Sequence, residues 1–201
     1  MTREVQDPIA AGARAPRAAA SGPSRAAVVA NFVVFQIAWF AAVLGAAHRW
    51  PALGTACVAA AVALHVASAR RPREELAFVV AVFAGGLLVE SLVVAQGHIV
   101  YPSGQPVAWL APYWIAALWA LLATAPNVTL RWLKGRPLLA ALLGAICGPA
   151  SFLAGVRLGG ASFVDPAAAL VMLALTWAVL MPALMALSTR LDGYALVPPR
   201  S

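Results

Sequence analysis

This sequence reads as an all-α membrane protein, a bundle of six transmembrane helices with the N-terminus and the C-terminus both cytoplasmic. Three observations lead there. The 201 residues are 63% hydrophobic and only 10% charged, against about 25% charged in ordinary soluble domains. Apolar runs of about 18 to 24 residues recur with few or no charges, the length that crosses a bilayer core. The basic residues cluster on alternate connections, as the positive-inside rule requires of a protein that crosses the membrane repeatedly.

Residues 1–25 are rich in Ala, Arg, Pro, Ser and Gly and read as a disordered basic N-terminal tail. The transmembrane domain covers 26–190, and 191–201 form a short C-terminal tail. Helix 1 is expected at about 26–47. Helix 2, at about 51–69, opens on Pro51, a residue suited to a first turn. Helix 3, at about 74–96, begins after Pro72-Arg73, and Glu74 and Glu75 lie at the positive end of its dipole. Helix 4 is expected over about 107–132, with Pro112 and Pro126 inside it. Helix 5, at about 137–158, opens on Pro137. Helix 6, at about 163–189, carries Pro166 and Pro182. Pro149 and Pro182 predict kinks, and Gly85-Gly86, Gly144-x-x-x-Gly148 and Gly155-x-x-x-Gly159 predict close helix packing.

Orientation follows from charge. Twelve of the fourteen Lys and Arg residues fall on one side, in the N-terminal tail, after helices 2 and 4, and at the C-terminus. Only Arg49 and Arg157 fall on the other. A net charge of +7 would raise nucleic acid as a partner of a soluble domain. Here the charges flank apolar runs, so the expected partners are the lipid bilayer of a bacterial inner membrane and other membrane proteins, not nucleic acid. Cys57 and Cys147 lie within apolar runs and read as small buried thiols.

Polar groups in lipid face the interior, pair, or line a wet cavity. Glu90 is the one acid deep inside an apolar run, and Arg157 lies at a similar depth, so a Glu90–Arg157 pair lining an outward pocket is the sharp expectation. A Glu90 that only ties helices together is the plain alternative. His98 and Tyr101 belong to the same outer end. His48 and His98 alone could meet there, which is too few for a metal site; neither metal nor cofactor is expected. A second polar layer nearer the cytoplasm comprises Asn31, His65, Thr124, Asn127 and Thr129, with interhelical hydrogen bonds as its expected role. Gln36 sits mid-membrane. Trp109, Tyr113, Trp114 and Trp119 concentrate aromatic area on helix 4, as an interface belt and core packing or as a ligand groove. Nucleophile motifs such as G-x-S-x-G and H-E-x-x-H do not occur in the sequence.

Several of these segments carry a family resemblance. The stretch Asn31-Phe-Val-Val-Phe-Gln-Ile-Ala-Trp-Phe, the Glu90-Ser91 pair, and Pro112-Tyr-Trp with Leu118-Trp119 are similar to the uncharacterised bacterial inner-membrane family known as domain-of-unknown-function family 2878. So is the run from Leu130 through Gly148-Pro149 to Leu153-Ala-Gly. The resemblance covers roughly residues 27–189, and Pro126 stands where the family pattern has Thr or an aliphatic residue. It implies a small inner-membrane protein without an assigned activity, whose relatives are encoded near fatty-acid-modifying enzymes. Three functions compete: a non-enzymatic accessory or scaffold protein of the envelope or lipid metabolism, which the sequence favours; a small carrier with an outward-facing pocket at Glu90 and Arg157; and an intramembrane lipid-modifying enzyme using Glu90 or His98.

Overall fold

The computed structural model of the protein describes residues 22–196. Expectations for residues 1–21 and 197–201 lie outside the described residues. Six α-helices run in order: α1 (Arg25–Ala47), α2 (Pro51–Ser68), α3 (Pro72–Ala95), α4 (Tyr113–Leu122), α5 (Pro137–Arg157) and α6 (Pro166–Arg190). Four of them open on proline at the first turn, where its missing N–H costs nothing. The side chains of Ser24 and Asp165 cap α1 and α6 by accepting from Ala27 N and Ala168 N. The last residue of the expected tail is therefore helical: Arg25 begins α1.

Five helices are long and apolar enough to cross a membrane. Their outward faces are apolar too: Leu138 is 86% exposed, Val179 70% and Leu175 67%. Apolar surface on that scale is at home in lipid. Cys57 and Cys147 lie on these outward faces, exposed rather than buried; as small, weakly polar side chains they suit a lipid-facing position equally well.

The fourth span departs from expectation. Instead of a helix over 107–132, α4 has ten residues, a rise of about 15 Å, half a bilayer core. Pro112 occupies its N-cap. At the other end Pro126 has no N–H for the Leu122 carbonyl and disfavours helical geometry at Ala125. The chain then turns through residues 123–130 into a short 3₁₀ turn, Arg131–Leu133. Most of this segment is buried, with Ala111, Ala123 and Asn127 all at 0% exposure. Irregular backbone at such a depth is tolerated only where protein encloses it, and α4 is the enclosed element.

Around α4, α1 packs on α2, while α2 and α3 flank it. The α5–α6 hairpin pairs closely with itself and touches the rest chiefly through α3 and the 3₁₀ turn. Glycine makes these approaches possible. A Cβ on Gly54 would collide with the α1 backbone at Ala41 and Ala42, and one on Gly144 or Gly148 with Trp177 of α6. The Gly144/Gly148 pair is thus a packing surface, whereas Gly85 and Gly155 meet nothing within contact distance. Two short strands, β1 (Ile99–Val100) and β2 (Ser162–Phe163), pair antiparallel and tie the α3–α4 and α5–α6 connections together.

Candidate functional site

The helix ends divide the molecule into two polar regions. At the end where the described chain begins and finishes (the terminal end), His65, Asn127 and Gly193 converge on Glu75, which has no exposed surface. Its Oε1 lies 2.7 Å from His65 Nε2. Its Oε2 accepts from Asn127 Nδ2 at 2.7 Å and from Gly193 N at 3.0 Å. Asn127 also donates to Leu191 O at 3.1 Å and accepts from Lys134 Nζ. Lys134 continues to Asp192 at 2.9 Å, which Arg131 meets at the same distance. On the other side of His65, Asn31 donates to Thr124 O and accepts from Thr129, and Tyr194 OH donates to His65 O at 2.7 Å.

The expected layer of Asn31, His65, Thr124, Asn127 and Thr129 is therefore assembled, but around a centre that sequence reasoning placed elsewhere. Glu75 looked like a dipole-stabilising first-turn carboxylate, and Lys134 and Arg131 like topology-setting charges. Asp192 and Tyr194 fell in a supposed tail; residues 191–194 instead fold back onto α3, with Arg71 N donating to Gly193 O and Arg71 Nη2 to Asp192 O. The available signal was the Asp192-Gly193 turn directly after an apolar helix that ends in Arg190. Burial pushes the Asp192 carboxyl up, but hydrogen bonds and charge from Lys134 and Arg131 prevail and hold it below its ordinary range. Burial lowers the Lys134 ammonium against the pull of Asp192. Burial, and then the charge of Glu75, raise the Tyr194 phenol to about 12.

Towards the far end, α3 carries Glu90, 1% exposed. Its Oε1 accepts from Trp119 Nε1 at 3.2 Å, and its Oε2 has no partner among the described residues. Nor has the Tyr101 hydroxyl, also buried; it lies beside the Glu90 carboxyl, close enough to interact with it but without a well-formed hydrogen bond. Both line one cavity of about 100 Å³, between α4 and the α5–α6 hairpin, walled by Trp39, Trp114, Trp119 and Trp177. Trp119 and Trp177 stack with ring centres 5.1 Å apart, and Tyr101 meets Trp114 edge-on at 5.9 Å. Gly86 admits this arrangement, because a Cβ there would run into the Trp119 indole. Phe35, Trp39, Leu122, Ser151 and Trp177 also line an apolar groove of about 540 Å³ between α1 and the hairpin.

The expected Glu90–Arg157 pair does not form. Arg157 is exposed at the end of α5 and makes no ion pair with any described residue; a cation at a helix C-terminus is stabilised by the dipole without a carboxylate. His98 is part-buried, and its carbonyl accepts from Val164 N at 2.9 Å in the strand pairing. Gln36 lines the groove and not the cavity. Of the helix 4 aromatics, Trp114 and Trp119 wall the cavity, while Trp109 and Tyr113 point outward, 68% and 38% exposed.

The cavity thus offers two buried, unmatched polar atoms inside an aromatic box, with an apolar groove leading away. An unmatched buried polar atom costs about 1–3 kcal/mol, so a ligand with a hydrogen-bonding head and an apolar body would relieve a standing penalty. No curated protein and no solved structure matches this chain. A family profile described as Protein of unknown function (DUF2878) matches residues 28–183, a stretch that contains Glu75, Glu90, the cavity walls and the short buried α4. The chain belongs to that family.

Proposed function

We propose that the protein is a six-span inner-membrane protein, both termini cytoplasmic, that binds a single-chain amphiphile with its head at Glu90 and Tyr101. In this reading α4 and its buried flanks complete the sixth crossing, and Glu90 lies towards the outer face. The observation that carries the proposal is the pair of unpartnered atoms, Glu90 Oε2 and Tyr101 OH, facing one cavity. A head that donates a hydrogen bond, a hydroxyl or an amine, matches Glu90; tryptophan faces suit an amine further. The tail runs down the apolar groove, which shares five wall residues with the cavity. Binding without chemistry fits the accessory role.

A carrier is the second reading. Phe35 lines the Glu90 cavity, the groove and a further cavity near His65, so a single side chain stands between polar sites at the two ends. The test is thermal stability of the purified protein in detergent, titrated with long-chain amines, alcohols and fatty acids. Amines and alcohols should raise the melting temperature of the wild type. Gly155 lines the cavity with free space beside it, so Gly155→Leu should fill the cavity, remove the ligand shift and leave the unliganded protein intact. Equal shifts in both proteins would overturn the proposal.

A further inference from the structure

His65 is held closely on one side and only by long contacts on the other. The Glu75 carboxylate takes the His65 Nε2 contact on Oε1, while its Oε2 already accepts from Asn127 Nδ2 and Gly193 N. In a neutral imidazole, donation from Nε2 to the carboxylate leaves the lone pair on Nδ1. Among the described residues, no donor comes closer to Nδ1 than 3.3 Å. That neighbour is Tyr194 OH, whose proton goes to His65 O at 2.7 Å. The next, Asn31 Nδ2, gives one N–H to Thr124 O at 3.2 Å and reaches Nδ1 with the other only at a long 3.5 Å. A buried acceptor fixed in direction is thus poorly matched by the protein's own donors.

Beside this ring lies a cavity of about 250 Å³ between α1 and α2. Its polar floor is Asn31, His65, Thr124 and Tyr194; Ala30, Val34 and Leu64 form part of its apolar sides. Ala30, Val34 and Leu64 are exposed, so the opening faces sideways between two apolar helices. None of the lining residues is Lys, Arg, Asp or Glu. The nearby charges are already matched: Glu75 by its three partners, Asp192 by Lys134 and Arg131.

We infer that this lateral cavity is a second ligand site, which takes the uncharged hydroxyl head of a membrane amphiphile on His65 Nδ1. The occupant is a neutral alcohol of the monoacylglycerol, diacylglycerol or fatty-alcohol type. The hydroxyl donates to Nδ1 and accepts from Asn31, and the chain leaves through the gap between α1 and α2. A carboxylate or phosphate head finds no cation in the lining. An ammonium finds no free anion. The inference stands on the terminal-end geometry and not on the Glu90 cavity.

The experiment uses the full chain in lipid nanodiscs with diazirine-bearing probes of one chain length, ending in monoacylglycerol, carboxylate or ammonium. The monoacylglycerol probe should label peptides from α1 and α2 around Ala30 and Leu64, about tenfold more than the charged probes, the worth of one well-made hydrogen bond. Ala30→Phe fills the mouth without touching the hydrogen-bond network, so it should abolish the labelling while thermal stability is unchanged. Gly155→Leu should leave it intact, which separates this site from the one at Glu90. Equal labelling by all three heads, or labelling that survives Ala30→Phe, would reduce the signal to ordinary lipid at the surface and overturn the inference.

Discussion

Two glutamates on one helix meet opposite fates. Glu75 and Glu90 sit on α3, both almost fully buried, about 22 Å apart by helical rise. Glu75 is surrounded by His65, Asn127 and Gly193. Glu90 has the Trp119 indole on one oxygen and, among the described residues, no hydrogen bond on the other, with Tyr101 beside it. A fully satisfied polar network rigidifies a fold, and a partly satisfied one is a standing cost. The first glutamate is therefore explained by the protein itself, and the second, on the function proposed, by a ligand.

Substitution should separate them most sharply at Glu75. Glu75→Ala strands the Asn127 amide, the Gly193 N–H and His65 at once, and removing one member of a buried charged network costs about 3–5 kcal/mol. The expected result is a large fall in melting temperature in detergent. Glu90→Gln is the matched contrast. An ionised carboxylate deep in a span costs about 2.5–3.5 kcal/mol, and glutamine keeps an oxygen for Trp119. Stability should hold or rise, while the shift caused by an amine or alcohol ligand shrinks. Equal losses at both positions would erase the distinction between the two sites.

Next in size is the ion pair that closes the terminal end. Lys134→Met leaves Asp192 with Arg131 and the Tyr194 N–H and should cost about 1.5–3 kcal/mol, the worth of a hydrogen bond to a charged group. The sign of the pH effect follows from Asp192. Its carboxyl is held below the ordinary value of 3.8, so the folded state binds that proton less readily than the unfolded chain. The resulting stability is present above about pH 4 and is lost as pH falls through the lower folded value. Lys134 runs the other way: its lowered value detracts from stability at neutral pH, and that deficit fades as pH rises from the lowered folded value and is gone above 10.5. Asp192→Asn should therefore flatten the acid limb of the stability profile below pH 4, measured by thermal unfolding across pH.

Much of this architecture was legible before any coordinates. Proline at first turns and charge-free runs marked the five long helices, and depth along each helix gathered Asn31, His65, Thr124, Asn127 and Thr129 into one layer. Two things were hidden for definable reasons. Hydropathy ran unbroken across 107–132 because backbone enclosed by other helices is as apolar as a span, although Pro112 and Pro126 bracketed only a short helix. Glu75 was hidden because a carboxylate in a first turn is already accounted for by the helix dipole. Only the return of Gly193 and Asp192 onto α3 reveals its partners, and a contact between residues more than a hundred positions apart leaves no local pattern. Glu90 was identified as the unusual acid, but its partner was misassigned: depth placed Arg157 level with it, and depth does not say which way a side chain points.

That misassignment supplies the smallest and most discriminating effect. Arg157 is exposed and unpaired with any described residue, so Arg157→Gln should change stability by no more than about 0.5 kcal/mol, as for an ordinary surface position. Combined with Glu90→Gln, the two effects should add within about 0.3–0.5 kcal/mol. A hidden pair would behave differently. Each single variant would be destabilised by the charge left alone, and the double would recover part of the loss. A thermal-unfolding cycle with these three variants and the wild type reads the coupling directly. Additivity removes Arg157 as a partner of Glu90, and so strengthens the case for a ligand's donor at its second oxygen. A favourable coupling above about 1 kcal/mol would restore Arg157 to the cavity and make Glu90 as self-explained as Glu75.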